Sequence, residues 1–253
     1  MMRIAIIGTG NVAWQFANAF REKHNVEFIY GRNAKKAEQL AQSVEAAFST
    51  SFNQIPRDLD LYLIAISDDQ IESVAGQIPE VSGIVAHTSG SVDLTVIPHE
   101  KSGVFYPLQT LSKEKVVDWK KVPLCVESQH AESLKALTEL GSDLSKNVQQ
   151  IDSQQRRAIH LAAVFACNFS NHMMANAQEL LRESELDFSI LKPLIEETVE
   201  KALEVGPDNA QTGPAIRGDE KTLEKHQNLL ENHARLLEIY NLVSQSIQDT
   251  RHE

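Results

Sequence analysis

The sequence predicts an α/β fold: an N-terminal, doubly wound parallel sheet followed by a C-terminal all-α domain. Three observations carry that expectation. Short β-branched runs alternate with helix-length segments as far as Ile151, no strand candidate of similar strength follows, and the first strand leads straight into a glycine-rich turn. Strands separated by helix-length segments build βαβ units with right-handed crossovers. The expected domains are therefore 1–151 and 152–253, within a length of 253 residues that allows two modest cores.

The elements follow in order. Arg3–Ile7 is a short β-branched run of the kind buried in a parallel sheet. A helix is expected from the glycine turn to about Arg21, then a strand over Val26–Tyr30 and a charged helix from Ala34 to about Val44. Leu59–Ile66 and Gly83–His87 are the next strong strands, and Gly103–Tyr106, Leu124–Glu127 and Asn147–Ile151 are shorter ones. Asp152-Ser153 caps a helix free of Gly and Pro that is expected to continue to about Arg182. A second helix, Phe188 to about Val205, tolerates Pro193 early in its length. Gly206–Gly218 reads as a loop, and two more helices fit between Asp219 and Gln248.

Composition excludes several functions. Thirty-five acidic residues against 24 Lys and Arg give a net charge of -11, which supplies no broad basic footprint for nucleic acid. No apolar run approaches a membrane span, and no basic leader or cleavage pattern opens the chain. Cys125 and Cys167 are too few and too far apart for a disulfide framework or a metal-ligand pair, so a reducing cytoplasm is the expected compartment. The scattered histidines have no zinc-hydrolase spacing, and no metal is expected.

Gly8-Thr9-Gly10-Asn11-Val12-Ala13 is the strongest chemical motif. Gly8 permits the tight turn, Gly10 lets the backbone approach a pyrophosphate, and Ala13 permits close helix–strand packing. The helix start adds free N–H groups and a favourable dipole. The end of the second strand refines the cofactor. Tyr30-Gly31-Arg32-Asn33 has no acid where an NAD ribose diol would need one. Gly31 leaves room, Arg32 offers a forked donor to a 2′-phosphate, Asn33 adds an amide, and Lys35 or Lys36 strengthens the positive edge. NADP(H) is thus expected over NAD(H), the alternative being an ordinary solvated Arg32.

Loops at the carboxyl ends of other strands are expected at the same crevice. Ser67 lines the phosphate or ribose path, while Asp68 and Asp69 are expected to cap the following helix. Thr88, Ser89 and Ser91 place hydroxyls near the nicotinamide side, with Gly90 allowing close approach. His87 is either an inward structural histidine or a direct participant. On the long helix, at about 100° per residue, Arg157, His160, Asn168 and Asn171 fall on one face and Phe165, Phe169, Met173 and Leu180 favour the other. That polar stripe reads either as a substrate-orienting face, with His160 moving a proton, or as an internally bonded seam. His172 lies just off it. In the shaped loop Thr212–Asp219, Asp219 caps the next helix and Asp208 and Asn209 shape its start. Arg217 either anchors an anionic ligand or pairs with an acid. Its Arg-Gly-Asp tripeptide is not read as an adhesion signal.

These motifs, with Tyr106-Pro107-Leu108-Gln109-Thr110, carry a resemblance across both domains. The chain resembles bacterial Rossmann-like proteins with a C-terminal domain of unknown function called DUF2520. It is more distantly similar to the superfamily of pyrroline-5-carboxylate reductase, F420-dependent NADP oxidoreductase and 6-phosphogluconate dehydrogenase. The resemblance implies an NADP-linked oxidoreductase without supplying a substrate. Dehydrogenases of that superfamily place a catalytic Lys, then Asn one turn later, on the first long helix of the second domain. Here the stripe has His160, then Val164, with Asn168 one turn beyond. The departure counts against 6-phosphogluconate dehydrogenase-like chemistry.

The expected activity is hydride transfer between NADP(H) and a small polar carbonyl, imine or alcohol in an interdomain cleft. His160, Asn168 and Ser89 are the expected catalytic residues, and Asn171, Arg217 and Gln109 the expected substrate contacts. The alternatives are a non-catalytic NADP(H) sensor or regulator, and a structural homodimer component that has lost cofactor binding. A helical domain of this size has limited core alone, so homodimerisation through it is expected.

Overall fold

The structure is a computed structural model that describes residues 1–250. One sheet holds β1 (Arg3–Ile7), β2 (Asn25–Tyr30), β3 (Ala47–Ser49), β4 (Leu61–Ile64), β5 (Ile84–His87), β6 (Ser102–Pro107), β7 (Leu124–Glu127) and β8 (Val148–Gln150). Their order is β3-β2-β1-β4-β5-β6-β7-β8. The chain winds one way from β1 and then the other, which opens a crevice between the carboxyl ends of β1 and β4. Helices α1 (Asn11–Phe20), α2 (Ala34–Ser43), α3 (Ile71–Ala75) and α4 (Ala131–Leu144) accompany the sheet.

Strand periodicity explains the continuous apolar runs. Along β1, Ile4 and Ile6 join a core with Phe16, Phe20, Leu40 and Phe105, while Ala5 and Ile7 join another with Phe28, Tyr62 and Ile64. A strand buried on both faces has no need of polar alternation. The Rossmann-type expectation therefore holds, with one change of direction. Strand β7 is antiparallel to β6, pairing Val104 with Glu127 and Pro107 with Leu124, and β8 is parallel to β7. The β6–β7 connection carries only the short 3₁₀ turn Trp119–Lys121, not a crossover helix, so the next strand returns antiparallel.

Helix α5 (Ser153–Ala163) opens with a capping box in which Asp152 accepts from the Gln155 N–H and the Gln155 side chain accepts from Asp152. The long helix expected to reach Arg182 is then interrupted. Val164–Phe169 is π-helical, and regular α-geometry resumes in α6 (Ser170–Glu183). A π turn takes up about one extra residue, so a constant 100° per residue does not carry across it. The single stripe drawn from Arg157 to Asn171 rests on that constant rotation and is not a property of this helix.

Two compact units divide at Ala166/Cys167. The change from strand to helix comes earlier, after β8, because α5 packs with the sheet. The second unit contains α6, α7 (Lys192–Val205), α8 (Pro207–Ala210), α9 (Pro214–Arg217), α10 (Glu220–Leu229) and α11 (Ala234–Asp249). The segment expected as a plain loop, Gly206–Gly218, holds the short helices α8 and α9, each starting with Pro after a glycine at positive φ. Asp219 caps α10, accepting from the Thr222 N–H. His226 of α10 meets the Tyr240 hydroxyl of α11 at 2.9 Å, and Arg235 of α11 donates to Glu179 of α6 at 2.7 Å. Among the described residues of this unit the buried apolar side chains are Ala215, Leu223, Leu230 and Leu236. Met173 and Leu180, expected to pack, are exposed in the single chain.

Candidate functional site: a dinucleotide cavity and a histidine–tyrosine pair

A cavity of about 540 Å³ opens at the carboxyl ends of β1, β2 and β4. Its floor is the Gly8–Val12 turn, one side is Tyr30–Asn33 with Lys36, another is Ala65–Ser67, and Leu111 closes it from the segment after β6. Gly8 has φ +135°, and a Cβ there would lie 2.1 Å from the Ala65 carbonyl oxygen. Only glycine fits that turn. A Cβ at Gly10 would meet no protein atom within 4 Å. The missing side chain at Gly10 therefore serves the open space beside the α1 N-terminus, where the first N–H groups have no intrahelical acceptor. The residues present fit a dinucleotide pyrophosphate.

At the β2 end, Gly31 is buried against Thr9 and Ala37, while Arg32, Asn33, Lys35 and Lys36 are exposed. Arg32, Asn33 and Lys36 line the cavity. Asn33 caps α2, its side-chain oxygen accepting from the Lys36 N–H at 3.0 Å, so only its amide N–H₂ faces outward duties. Asp69 lies close enough to feel the Arg32 charge, and its carboxyl is held below the usual range chiefly by hydrogen bonds from Ser67 and Gln70.

The loop after β5 is tied on all sides. The Thr88 N–H and hydroxyl both donate to the Ile64 carbonyl, at 3.1 and 3.2 Å, joining β5 to β4. The Ser89 oxygen accepts from the N–H groups of Ser91 and Val92, at 3.0 and 3.1 Å. Ser91 donates to Asp68, which makes Asp68 a loop clasp and not the helix cap expected of it. His87 is fully buried, with Nδ1 accepting from the Ser89 N–H at 3.2 Å. Burial first, and the Arg156 charge second, push its pKa down to about 4. It is a neutral, structural histidine.

Arg156 is the anchor beneath this loop. It is fully buried, and Nη1 donates to the carbonyls of Ser89 and Val92 at 3.0 and 2.7 Å. Its Nη2 donates to Glu127 at 3.0 Å and to the Ser153 hydroxyl at 2.8 Å. One turn later on α5, His160 Nδ1 lies 3.0 Å from the Tyr106 hydroxyl, with the rings edge-on at 76°. Gly90 sits against both: a Cβ there would be 2.5 Å from His160 Nδ1 and 2.8 Å from the Tyr106 ring.

Comparison with known proteins follows this geometry. A family profile described as coenzyme F420-dependent NADP oxidoreductase matches residues 3–87, and the domain of unknown function DUF2520 matches residues 122–247. A Bacteroides fragilis protein named as a candidate NADP oxidoreductase is 38% identical, with 98% of each chain covered and a TM-score of 0.92. The chain belongs to the NADP oxidoreductase family. A Thermotoga maritima protein shares the fold at 17% identity and a TM-score of 0.83, covering 99% of this chain and 100% of that one. So does a Myxococcus stipitatus imine reductase solved with NADP+, at 12% identity and a TM-score of 0.69, covering 99% and 93%. No curated protein matches.

In this NADP oxidoreductase family member the structure gathers Gly8, Thr9, Gly10, Asn11, Val12, Gly31, Arg32, Asn33 and Ser67 around one cavity. Ala13 is buried behind it, and the side chains of Thr88 and Ser89 are spent on building their loop. Gln109 is exposed, its side-chain oxygen accepting from the Thr110 N–H at 2.9 Å. Asn168, Asn171 and Arg217 belong to the second unit and are exposed there. Sequence reasoning missed four residues. Tyr106 was noted only as part of a strand and a motif, Arg156 was passed over beside Arg157, and Glu127 and Leu111 were given no role. Glu127 alone offered a signal, as an acid ending the apolar run Leu124–Val126. Among the described residues no group of three His, Cys, Asp or Glu side chains is placed to hold a metal, and no helix is long and apolar enough to cross a membrane.

Proposed function

We propose that this protein binds NADP(H) in the β1–β4 cavity and transfers hydride to or from a small polar carbonyl, imine or alcohol. The observation that carries the reading is the cavity rim at the end of β2, where Arg32 and Lys36 stand with Asn33 and no carboxylate occupies the ribose position. A guanidinium there matches a 2′-phosphate, whereas an NAD-selective rim carries an acid. When bound, the nicotinamide supplies the hydride chemistry. The chain itself cradles the pyrophosphate on Gly8–Ala13, holds the 2′-phosphate on Arg32, and supplies the proton from His160. Asn168, Asn171, Arg217 and Gln109 are our candidates for orienting the substrate, in a protein that we place in the cytoplasm.

Titration with NADPH and NADH tests the cofactor. Arg32→Ala should weaken NADPH binding about 10- to 100-fold, the loss of a charge-assisted contact, and leave NADH binding little changed. Equal losses for both cofactors would remove the 2′-phosphate assignment. Binding of neither by the native protein would sink the enzyme reading, and NADPH binding without turnover across carbonyls and imines would favour the sensor.

We also propose that the second unit pairs with a second copy of itself. Ile190, Leu194 and Leu203 are exposed along and just before α7, with Leu229 and Leu242 exposed on α10 and α11. So many large apolar side chains exposed on a unit with so small a core favour a face covered by a second copy. Sedimentation should give a dimer, and the pair Leu194→Glu and Leu203→Glu should give a folded monomer.

A further inference from the structure

We propose that Tyr106 is the positioning residue of His160, its hydroxyl occupying Nδ1 so that Nε2 is the ring nitrogen presented to a ligand. The inference rests on the proton-transfer role given above to His160 and adds the residue through which that role is set. The hydroxyl and Nδ1 are 3.0 Å apart. The imidazole is also fixed in rotation. It stands edge-on to the Tyr106 ring and leans on the Gly90 backbone, where even a methyl group would collide with Nδ1. Tyr106 is itself held in a small core with Leu94, Val104 and Cys125, so it cannot swing with the histidine.

A hydroxyl suits this task because its oxygen accepts from Nδ1–H without bringing a charge. When the ring is neutral, Nδ1–H donates to the Tyr106 oxygen and the Nε2 lone pair points away. When the ring is an imidazolium, Nδ1–H donates to the Tyr106 oxygen and Nε2–H still points away. One bond thus serves both states, and the ring keeps one orientation as it gains or loses a proton. In the reductive direction, hydride brings its electron pair to the electrophilic carbon and the Nε2 proton goes to the substrate oxygen or nitrogen. The ring is left neutral, and solvent returns the proton. Burial pushes the Tyr106 phenol up to about 12, so it stays protonated and adds no charge. The ionisable groups around the pair are Arg156 one turn earlier on α5, and Cys125 and Asp68, whose charges reach Tyr106.

Nitrogen NMR of ¹⁵N-histidine-labelled full-length protein tests this without any cofactor. Neutral His160 should be the Nδ1–H tautomer, and Tyr106→Phe should produce a tautomer mixture. Tyr106→Phe should also lower kcat roughly tenfold or more, move the alkaline limb of its reductive pH profile, and leave NADPH affinity within about twofold. A neutral Nε2–H tautomer in the native protein overturns the inference, and so does a Tyr106→Phe protein whose kcat and pH profile match the native ones. The native tautomer decides the matter even if Tyr106→Phe fails to fold. Failure of the native protein to bind NADPH would count against the proposed function, not against the Tyr106–His160 bond, which the spectrum reads by itself.

Discussion

The two compact units are built on opposite balances of surface and core. In the first, each β1 side chain from Ile4 to Ile7 is fully buried, and even a charged side chain, Arg156, is enclosed, with both of its terminal nitrogens hydrogen-bonded. In the second, the helices hold together through Ala215, Leu223, Leu230 and Leu236 and through polar links such as His226–Tyr240, while Leu203 remains 82% exposed. The difference teaches where independence lies. The sheet unit carries a finished cavity and its own histidine–tyrosine pair, whereas the helical unit has too little core to stand alone.

The sharpest way to break the comparison is to separate the halves. Residues 1–166 alone should melt cooperatively and retain cofactor affinity, whereas residues 167–253 alone should show no cooperative transition in urea at low concentration. A cooperative melt of the second fragment would show that its core suffices. Within the first unit, Arg156→Ala should cost about 4 kcal/mol in urea unfolding, because it leaves the Glu127 charge and two loop carbonyls buried without their donor. A smaller effect, of about 3 kcal/mol, is expected from pH. His87 has a folded pKa of about 4 against an ordinary 6.5. Above 6.5 both folded and unfolded chains hold it neutral and stability is full. As pH falls from 6.5 to about 4, the unfolded chain binds a proton that the folded one refuses, so stability drops, and the loss levels off below that window. His24, also lowered by burial, adds in the same direction, so His87→Gln should flatten the slope without abolishing it. An unchanged slope would acquit His87. The smallest effect belongs to Arg157→Ala. Its 3.0 Å pair with Asp93 is 46% and 42% exposed, and its loss should cost less than about 1 kcal/mol. Two adjacent arginines on one helix would then differ severalfold.

That last contrast shows what the sequence made legible. Gly8, Gly10 and Ala13 were readable because their chemistry depends on spacing within a single turn. Arg32 was readable as a cavity-lining residue because the end of the second strand follows the glycine turn at a fixed distance. Arg156 was not, since nothing local distinguishes it from Arg157; its partners Glu127 and Ser89 come from β7 and from the loop after β5. The reversal of β7 was hidden for a similar reason. Leu124–Glu127 reads as a strand in either direction, and only the lack of a crossover helix between Leu108 and Pro123 hinted otherwise. The π-helical interruption leaves no mark in a sequence free of Gly and Pro, so helical phase was carried too far, from His160 on to Asn171. Thr88 and Ser89 were expected beside the crevice, but they do not line the cavity and their side-chain oxygens are consumed by backbone groups that no motif reveals.

The run of α5 beside β6 acts as a ruler. The reversed β7 puts Glu127 level with Val104, and Arg156 is pinned there; His160 meets Tyr106 two residues further along the strand. Four residues of helix rise about 6 Å and two residues of strand span about 6.6 Å, so the two scales agree at both marks. The imidazole's height and bearing are therefore gauged from a buried ion pair away from the cavity. Inserting one residue between the marks would turn the ring by about 100° and lift it by about 1.5 Å, parting it from the Tyr106 hydroxyl while every cavity-lining residue stayed in place.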